Sequence, residues 1–170
     1  MVQKCSLLKV LEVFFTEPAS IHFVKGISKK IKLAPTSVRA YIKGLLKECL
    51  IKRRKAKPFD GFAANRENED FIFCKRVYNL YSLKNLSDFI VSSCYPQLIV
   101  VFGSYSLGED VETSDIDILV LTKTKKELDL KAFEETLKRK IHPIIIEDLK
   151  KIDAGLRKKI YNGIVLHGGF

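Results

Sequence analysis

Residues 103–117 read GSYSLGEDVETSDID, and no other stretch constrains the chain as much. An unbroken apolar run, Leu98 to Phe102, precedes it, and another, Ile118 to Leu121, follows it. The pattern predicts a strand over 97–102, a tight turn at Gly103, a polar loop, and a second strand over 115–121. On that second strand Asp115 and Asp117 stand two residues apart, the spacing that puts both carboxylates on one face. Gly103 has no Cβ, so the backbone can turn sharply and approach a phosphate, and Ser104 adds a hydroxyl. The amides that follow predict a short helix over 105–107, whose N-terminus favours anions. An anion-cradling turn beside two hard oxygen ligands is the arrangement that a Mg²⁺–nucleotide site requires.

The rest of the second half alternates strands and helices. Helices are predicted over about 126–139 and 147–160, with strands over 140–146 and 164–166. Leu130, Phe133 and Leu137 face a sheet from the first helix, and Leu149, Ile152, Leu156 and Ile160 from the second. Asn162-Gly163 reads as the C-cap of the last helix.

The net charge of +10 is unevenly distributed. Residues 1–93 hold 18 Lys and Arg against 8 Asp and Glu, whereas residues 94–170 balance at 12 and 12. A basic half suits a polyanion, or is a solubilising surface whose lysines face water. Its pattern is helix, helix, helix, then a basic hairpin. Leu7, Val10, Leu11 and Phe14 mark one face of a first helix that ends at Glu17-Pro18, and a second spans about 23–31. Thr36 or Ser37 caps a third, in which Val38, Tyr41, Ile42, Leu45 and Leu46 form a core stripe. Arg39, Lys43 and Lys47 fall at i, i+4, i+8 on another face. Leu50 and Ile51 open a strand running into Lys52, Arg53, Arg54, Lys55 and Lys57, with a turn from Pro58 and a return strand at Phe62 and Ala63.

This layout resembles the winged-helix domain of transcription regulators. The resemblance implies DNA, or RNA, as partner, with Arg39, Lys43, Lys47, Lys52, Arg53 and Arg54 as nucleic-acid contacts. Residues from about 66 to 95 are predicted as linker helix with a break near Asn79. Phe71, Cys74, Val77 and Tyr78 form one of its stripes, and the domains are expected at 1–80 and 81–170.

The segment GSYSLGEDVETSDIDILV resembles the motif of the DNA polymerase beta-like nucleotidyltransferase superfamily, Gly-Ser followed by Asp-x-Asp. It is most similar to the small minimal-nucleotidyltransferase branch, whose members stand alone or beside winged-helix or HEPN partners. The resemblance spans about residues 95–168 and takes in the closing NGIVLHG. It implies an α+β chain: an N-terminal winged helix-turn-helix, then a small mixed-sheet nucleotidyltransferase domain with flanking helices. It also implies transfer of a nucleoside monophosphate from an NTP, ATP by expectation, to a hydroxyl acceptor. Gly103 and Ser104 would hold the triphosphate, and Asp115 and Asp117 would ligate Mg²⁺ (or Mn²⁺). A HEPN-type toxin as protein acceptor and a homodimer are further partners that the resemblance allows.

One position departs from that pattern. The resemblance implies a third carboxylate, the general base, on a later antiparallel strand, and this chain places His142 there. Histidine acts as a base near neutral pH but is a poorer Mg²⁺ ligand than a carboxylate. Three readings stay open. His142 is a substitute base; Glu147, just past the strand, supplies the oxygen; or the domain binds nucleotide without turnover, as the sensing or dimerising part of a regulator or antitoxin.

Several residues have plainer expectations. Tyr105 packs beneath the loop or stacks on a base. Glu109, Asp110 and Glu112 form an acidic loop that adds a metal ligand or, as charge runs in loops usually are, is solvated. Lys123, Lys125 and Lys126 attract phosphates or face water, and His22 and His167 belong to no constellation. No stretch approaches the ~20 apolar residues of a membrane span, so no membrane partner is expected. Lys4, Lys9 and Glu12 interrupt any signal-peptide core, which points to the cytoplasm. The four cysteines (Cys5, Cys49, Cys74, Cys94) are scattered without a Cys-x-x-Cys pair, against structural zinc or a disulfide framework.

Overall fold

The computed structural model describes residues 5–57, 59–124 and 127–170, so Lys4, Pro58, Lys125 and Lys126 lie outside the described residues. The chain divides into two compact units, Met1–Lys75 and Arg76–Phe170.

The first unit holds three helices and a hairpin: α1 (Ser6–Thr16), α2 (Val24–Ile31), α3 (Pro35–Lys47), β1 (Ile51–Arg54) and β2 (Gly61–Ala64). The apolar stripes bury Val10, Phe14, Ile27, Val38, Ile42 and Leu45. Tyr41 and Leu46 are only half-buried. The third helix starts earlier than Thr36 or Ser37 would set it. Pro35 occupies its first turn, where a missing N–H costs nothing, and Ala34 precedes it without a side-chain cap. β1 and β2 pair antiparallel, with Ile51 opposite Ala64 and Arg54 opposite Gly61. His22 extends this hairpin. Its backbone N–H donates to the Phe62 carbonyl at 2.7 Å, and the Phe62 N–H returns the bond at 2.8 Å. The His22 ring is buried, edge-on to Phe14 and 2.9 Å from the Glu17 carbonyl through Nε2, which makes it a structural histidine.

α4 (Glu69–Ser82) contains the division between the units. Its buried positions are Phe71, Lys75 and Asn79, whereas Val77 is 51% exposed, so the expected stripe through Val77 is corrected. The helix runs through Asn79 and ends at Ser82, because Asn79 finds buried partners and need not face water. α5 (Lys84–Cys94) follows after Leu83.

The second unit is built on a mixed sheet in the order β5-β4-β3-β6, from β3 (Leu98–Phe102), β4 (Ile116–Leu121), β5 (Ile141–Ile146) and β6 (Ile164–Gly168). β3 pairs antiparallel with β4 and with β6, while β4 and β5 run parallel. Every residue of β3 is buried. Both of its faces are covered, which is why its sequence is continuously apolar rather than alternating. On one face Ile99, Val101, Ile116, Ile118 and Val120 pack with Leu86 and Ile90 of α5 and with Leu130. On the other, Leu98, Val100, Phe102 and Leu119 pack with Ile152 and Ile160.

Two helices are shorter than their apolar spacing suggests. α7 covers only Lys131–Leu137. The segment expected as one helix over 147–160 splits into a 3₁₀ turn at Leu149–Lys151 and α8 (Ala154–Tyr161). Asp148 and Asp153 cause the split, since each carboxylate caps a new start by accepting from the amides of Lys150 and Leu156. Asn162 caps α8 at φ −86°, its N–H donating to the Lys158 carbonyl at 3.2 Å and that of Gly163 to the Ile160 carbonyl at 2.9 Å, and Gly163 serves close packing as well. A Cβ on Gly163 would stand 2.6 Å from the Val101 carbonyl oxygen and 2.7 Å from Val100 Cγ1.

Gly163→Ala and Gly44→Ala therefore act with opposite signs. The first forces atoms into β3 and is expected to cost about 1–3 kcal/mol. The second adds a methyl to an open helix position with nothing within 4 Å and is expected to gain about 0.5–1 kcal/mol. Urea denaturation followed by circular dichroism checks both.

Candidate functional site

The site forms where β3 ends and β4 and β5 begin. Phe102, the last residue of β3, is paired with Asp117 across the antiparallel ladder. The chain then turns at Gly103 with φ +72° and enters α6 (Gly103–Leu107), a helix of five residues. That φ lies in the left-handed region, which glycine adopts without strain. There is a second and independent reason for glycine. A Cβ at 103 would lie 2.7 Å from Asp117 Oδ2. The Asp117 carboxylate thus sits directly over the bare backbone of the turn. Ser106 closes the turn by donating from Oγ to the Gly103 carbonyl at 2.8 Å. Gly108, at φ +75°, ends α6.

Asp115 immediately precedes β4, on the same face as Asp117 by strand alternation. The loop leading to it is pinned by a reciprocal pair, Val111 N–H to Ser114 Oγ at 2.9 Å and Ser114 N–H to the Val111 carbonyl at 3.0 Å. His142 is the parallel-ladder partner of Asp117, and its Nε2 lies 3.8 Å from Asp115 Oδ2. Both side chains of that pair are open to solvent, at 59% and 43% exposure. Gly103, Ser104, Asp115, Asp117 and His142 are therefore brought to one end of the sheet. Two expectations change here. The strand bearing His142 is parallel to β4, not antiparallel. Glu147 follows the opposite end of β5, five residues and so roughly 16 Å along the strand from His142, which removes it as a ligand here.

Two hard carboxylates suit Mg²⁺, which commonly takes only one or two protein carboxylates and completes its shell with waters and substrate phosphates. Among the described residues, no group of three or more His, Cys, Asp and Glu side chains stands at metal-holding spacing. A cleft of about 400 Å³ opens beside Asp115, lined in part by Glu112, Ser114, Glu135, Lys138 and Lys140.

Beneath the site lies a buried polar group that sequence reasoning missed. Asp110, expected in solvent, is 1% exposed. Its Oδ1 accepts from Asn79 Nδ2 at 2.7 Å, and its Oδ2 lies 3.5 Å from Arg139 Nη2. Asn79 also donates to the Tyr105 carbonyl at 2.8 Å. Tyr105 is buried, its hydroxyl 2.9 Å from Ser82 Oγ, and burial pushes its phenol up to about 12. It packs beneath the turn and is not available to stack on a base. The one available hint was the unusual placement of Asn79 within an otherwise helical stretch.

In the first unit Arg39, Lys43 and Lys47 are all exposed on α3, as are Arg53 and Arg54 on β1. Lys52 is half-buried and paired with Glu67 at 3.1 Å, which makes it the least available of the six.

A family model described as polymerase beta nucleotidyltransferase matches residues 84–168, half of the chain. The chain belongs to the polymerase beta nucleotidyltransferase family. The matched residues contain the whole of the Gly-Ser turn, both aspartates and His142. None of the curated proteins compared matches the sequence. Among solved structures, a mutant of ZitR from Lactococcus lactis is 19% identical, with a TM-score of 0.39. That alignment covers 48% of this chain and 56% of the other, so this chain spans about half of that one's length. No helix among the described residues is long and apolar enough to cross a membrane.

Two outcomes follow for this family member. Gly103→Ala is expected to cost about 1–3 kcal/mol from backbone strain and crowding. In an Asp117→Ala background the crowding is gone and only the strain remains, so a double-mutant cycle by urea denaturation should show coupling of about 1 kcal/mol. Tyr105 should ionise with a midpoint of about 12 in an ultraviolet absorbance titration, a step absent from Tyr105→Phe. Its ordinary value is 10.0. The proton is held more tightly in the folded state, so this contribution to stability is complete below pH 10 and lost as pH climbs through 12.

Proposed function

We propose that the chain is a Mg²⁺-dependent nucleotidyltransferase, moving a nucleoside monophosphate from an NTP, with ATP the first to be tried, onto a hydroxyl acceptor. The observation that carries this reading is the Asp117 carboxylate lying over the side-chain-free turn at Gly103. A triphosphate drawn to that turn meets a hard oxygen ligand at the same place. Asp115 and Asp117 would hold Mg²⁺ (or Mn²⁺), and the Gly103 backbone and Ser104 hydroxyl would receive phosphate oxygens. The ion, when bound, offsets polyphosphate charge and favours departure of pyrophosphate.

The remaining chemistry falls to the chain itself. The acceptor oxygen bonds to the α-phosphorus as the bond from that phosphorus to the α,β-bridging oxygen breaks, and pyrophosphate leaves. The acceptor proton needs a base at this end of the sheet, and His142, whose Nε2 lies 3.8 Å from Asp115 Oδ2, would be that base.

The N-terminal unit is read as a winged helix that binds nucleic acid. Three exposed cations at i, i+4, i+8 on α3 and a basic, exposed β1 support this. In that arrangement α3 lies in a groove and the β1–β2 hairpin lies along phosphates.

A second reading is favoured by one position. A histidine stands where the family pattern has its third carboxylate, which suits a nucleotide-sensing or dimerising part of a regulator with little turnover.

Incubation with each α-labelled NTP, Mg²⁺ and candidate hydroxyl acceptors separates the two. The enzyme reading expects label on an acceptor and a loss on the order of a hundredfold in Asp117→Asn. Absence of label with every NTP, alongside retained nucleotide binding, leaves the sensing reading. Nucleic-acid binding is tested by salt titration of a labelled duplex. Replacing Arg53 and Arg54 together by alanine should flatten the slope of log K against log salt by about 1.8. An unchanged slope would remove the hairpin from the interface.

A further inference from the structure

We propose that Asn79, Asp110 and Arg139 are positioning residues, a buried clamp that sets the spacing between the Gly103–Ser104 turn and the strands bearing Asp115, Asp117 and His142. This rests on the nucleotidyltransferase reading of the site. The three side chains come from three separate segments of the chain. Asn79 projects from α4 and holds the Tyr105 carbonyl, one residue after Ser104. Asp110 stands five residues before Asp115, in the loop that delivers it. Arg139 stands three residues before His142, at the entry to β5, and its Nη1 donates to the Lys138 carbonyl at 3.1 Å. Each segment that contributes to the site is thus tied to one network within the second unit.

The geometry of the network is directional. An Asn amide has two N–H donors, and here each has a different target: the Tyr105 carbonyl at 2.8 Å and Asp110 Oδ1 at 2.7 Å. The second carboxylate oxygen of Asp110 faces the Arg139 guanidinium. Tyr105 is held again at its far end through Ser82 Oγ, which itself donates to the Asn79 carbonyl at 2.6 Å. The turn is fixed through both the backbone and the ring of the residue that follows it. The centre of the network is shielded from water, with Asn79 2% exposed and Asp110 1%, while Ser82 is half-buried.

Stability alone is a weak reason for such an arrangement. A buried ion pair often stabilises no better than apolar side chains of similar volume, because both charges lose their water. Apolar packing, however, does not specify distance and angle as two-ended hydrogen bonds do. A site that must place a phosphate-binding turn and two carboxylates to within a fraction of an ångström gains from the second property. Arg139 also lines the cleft beside Asp115, so the clamp borders the space next to the site itself.

The test compares the clamp with an unrelated source of instability, using the full chain at a temperature where circular dichroism shows every variant folded. Asp110→Asn keeps the shape and loses the charge. Arg139→Lys keeps the charge and loses the planar fork. Asn79→Ala removes both donors. Asp153→Ala, which only uncaps α8, serves as the control. Binding of each NTP with Mg²⁺ is read by calorimetry, and KM and kcat by label transfer. The clamp variants are expected to weaken nucleotide binding and raise KM about 10- to 100-fold. Asp153→Ala is expected to lower the melting temperature with nucleotide affinity unchanged. Should Asn79→Ala fail to fold, the conservative Arg139→Lys decides the matter by the same readouts. Clamp variants that melt earlier yet bind nucleotide like the wild type would overturn the clamp while leaving the nucleotidyltransferase reading standing. A wild type that binds no NTP would overturn both.

Discussion

Much of the second unit depends on one side chain that is absent. Residue 103 favours glycine on two counts, its positive φ and the Asp117 carboxylate, whose Oδ2 would stand 2.7 Å from a Cβ. Those two demands are linked by the register of β3 on β4. Because Phe102 is opposite Asp117, the first residue beyond β3 must pass beneath that carboxylate. Shifting the pairing by one residue would send Asp117 to the other face of the sheet. The apolar alternation of β4, with Ile116, Ile118 and Val120 in one core and Leu119 in the other, opposes such a slip. Core packing and site geometry are therefore the same constraint.

The parts of this arrangement that could be read in the sequence were those with a local cause. The continuous apolar run of β3 predicts a strand, and Gly103 predicts the turn. The apolar spacing of α1 and α3 predicts their buried faces. What could not be read were effects of partners distant in sequence. Asp148 and Asp153 look like ordinary surface acids, yet their capping bonds split one expected helix into a 3₁₀ turn and α8. Asn162-Gly163 reads as a helix cap and is one, but that Gly163 also lets the chain pass close to β3 is not visible in the sequence.

The site divides along the same line. Gly103, Ser104, Asp115 and Asp117 lie within fifteen residues, and their spacing alone suggested that they meet. His142 could be aligned but not placed, and the parallel β4–β5 ladder brings it beside Asp115. The buried network left only the placement of Asn79 as a sign in the sequence. Asn79, Asp110 and Arg139 are far apart in the chain, and an acid between Glu109 and Glu112 reads as solvated until Arg139 is seen beside it. Lys52 is the comparable case in the first unit, since only its ion pair with Glu67 distinguishes it from the exposed Arg53 and Arg54.

The central claim is that a turn without a side chain and two carboxylates make one receptor for a metal-bound triphosphate. Isothermal calorimetry with ATP, CTP, GTP and UTP, each with and without Mg²⁺, addresses it most directly. The account expects one binding site for at least one of the four, dependent on Mg²⁺ and lost in Asp117→Asn. Heat that is independent of Mg²⁺, or an Asp117→Asn protein that binds as tightly as the wild type, would contradict it.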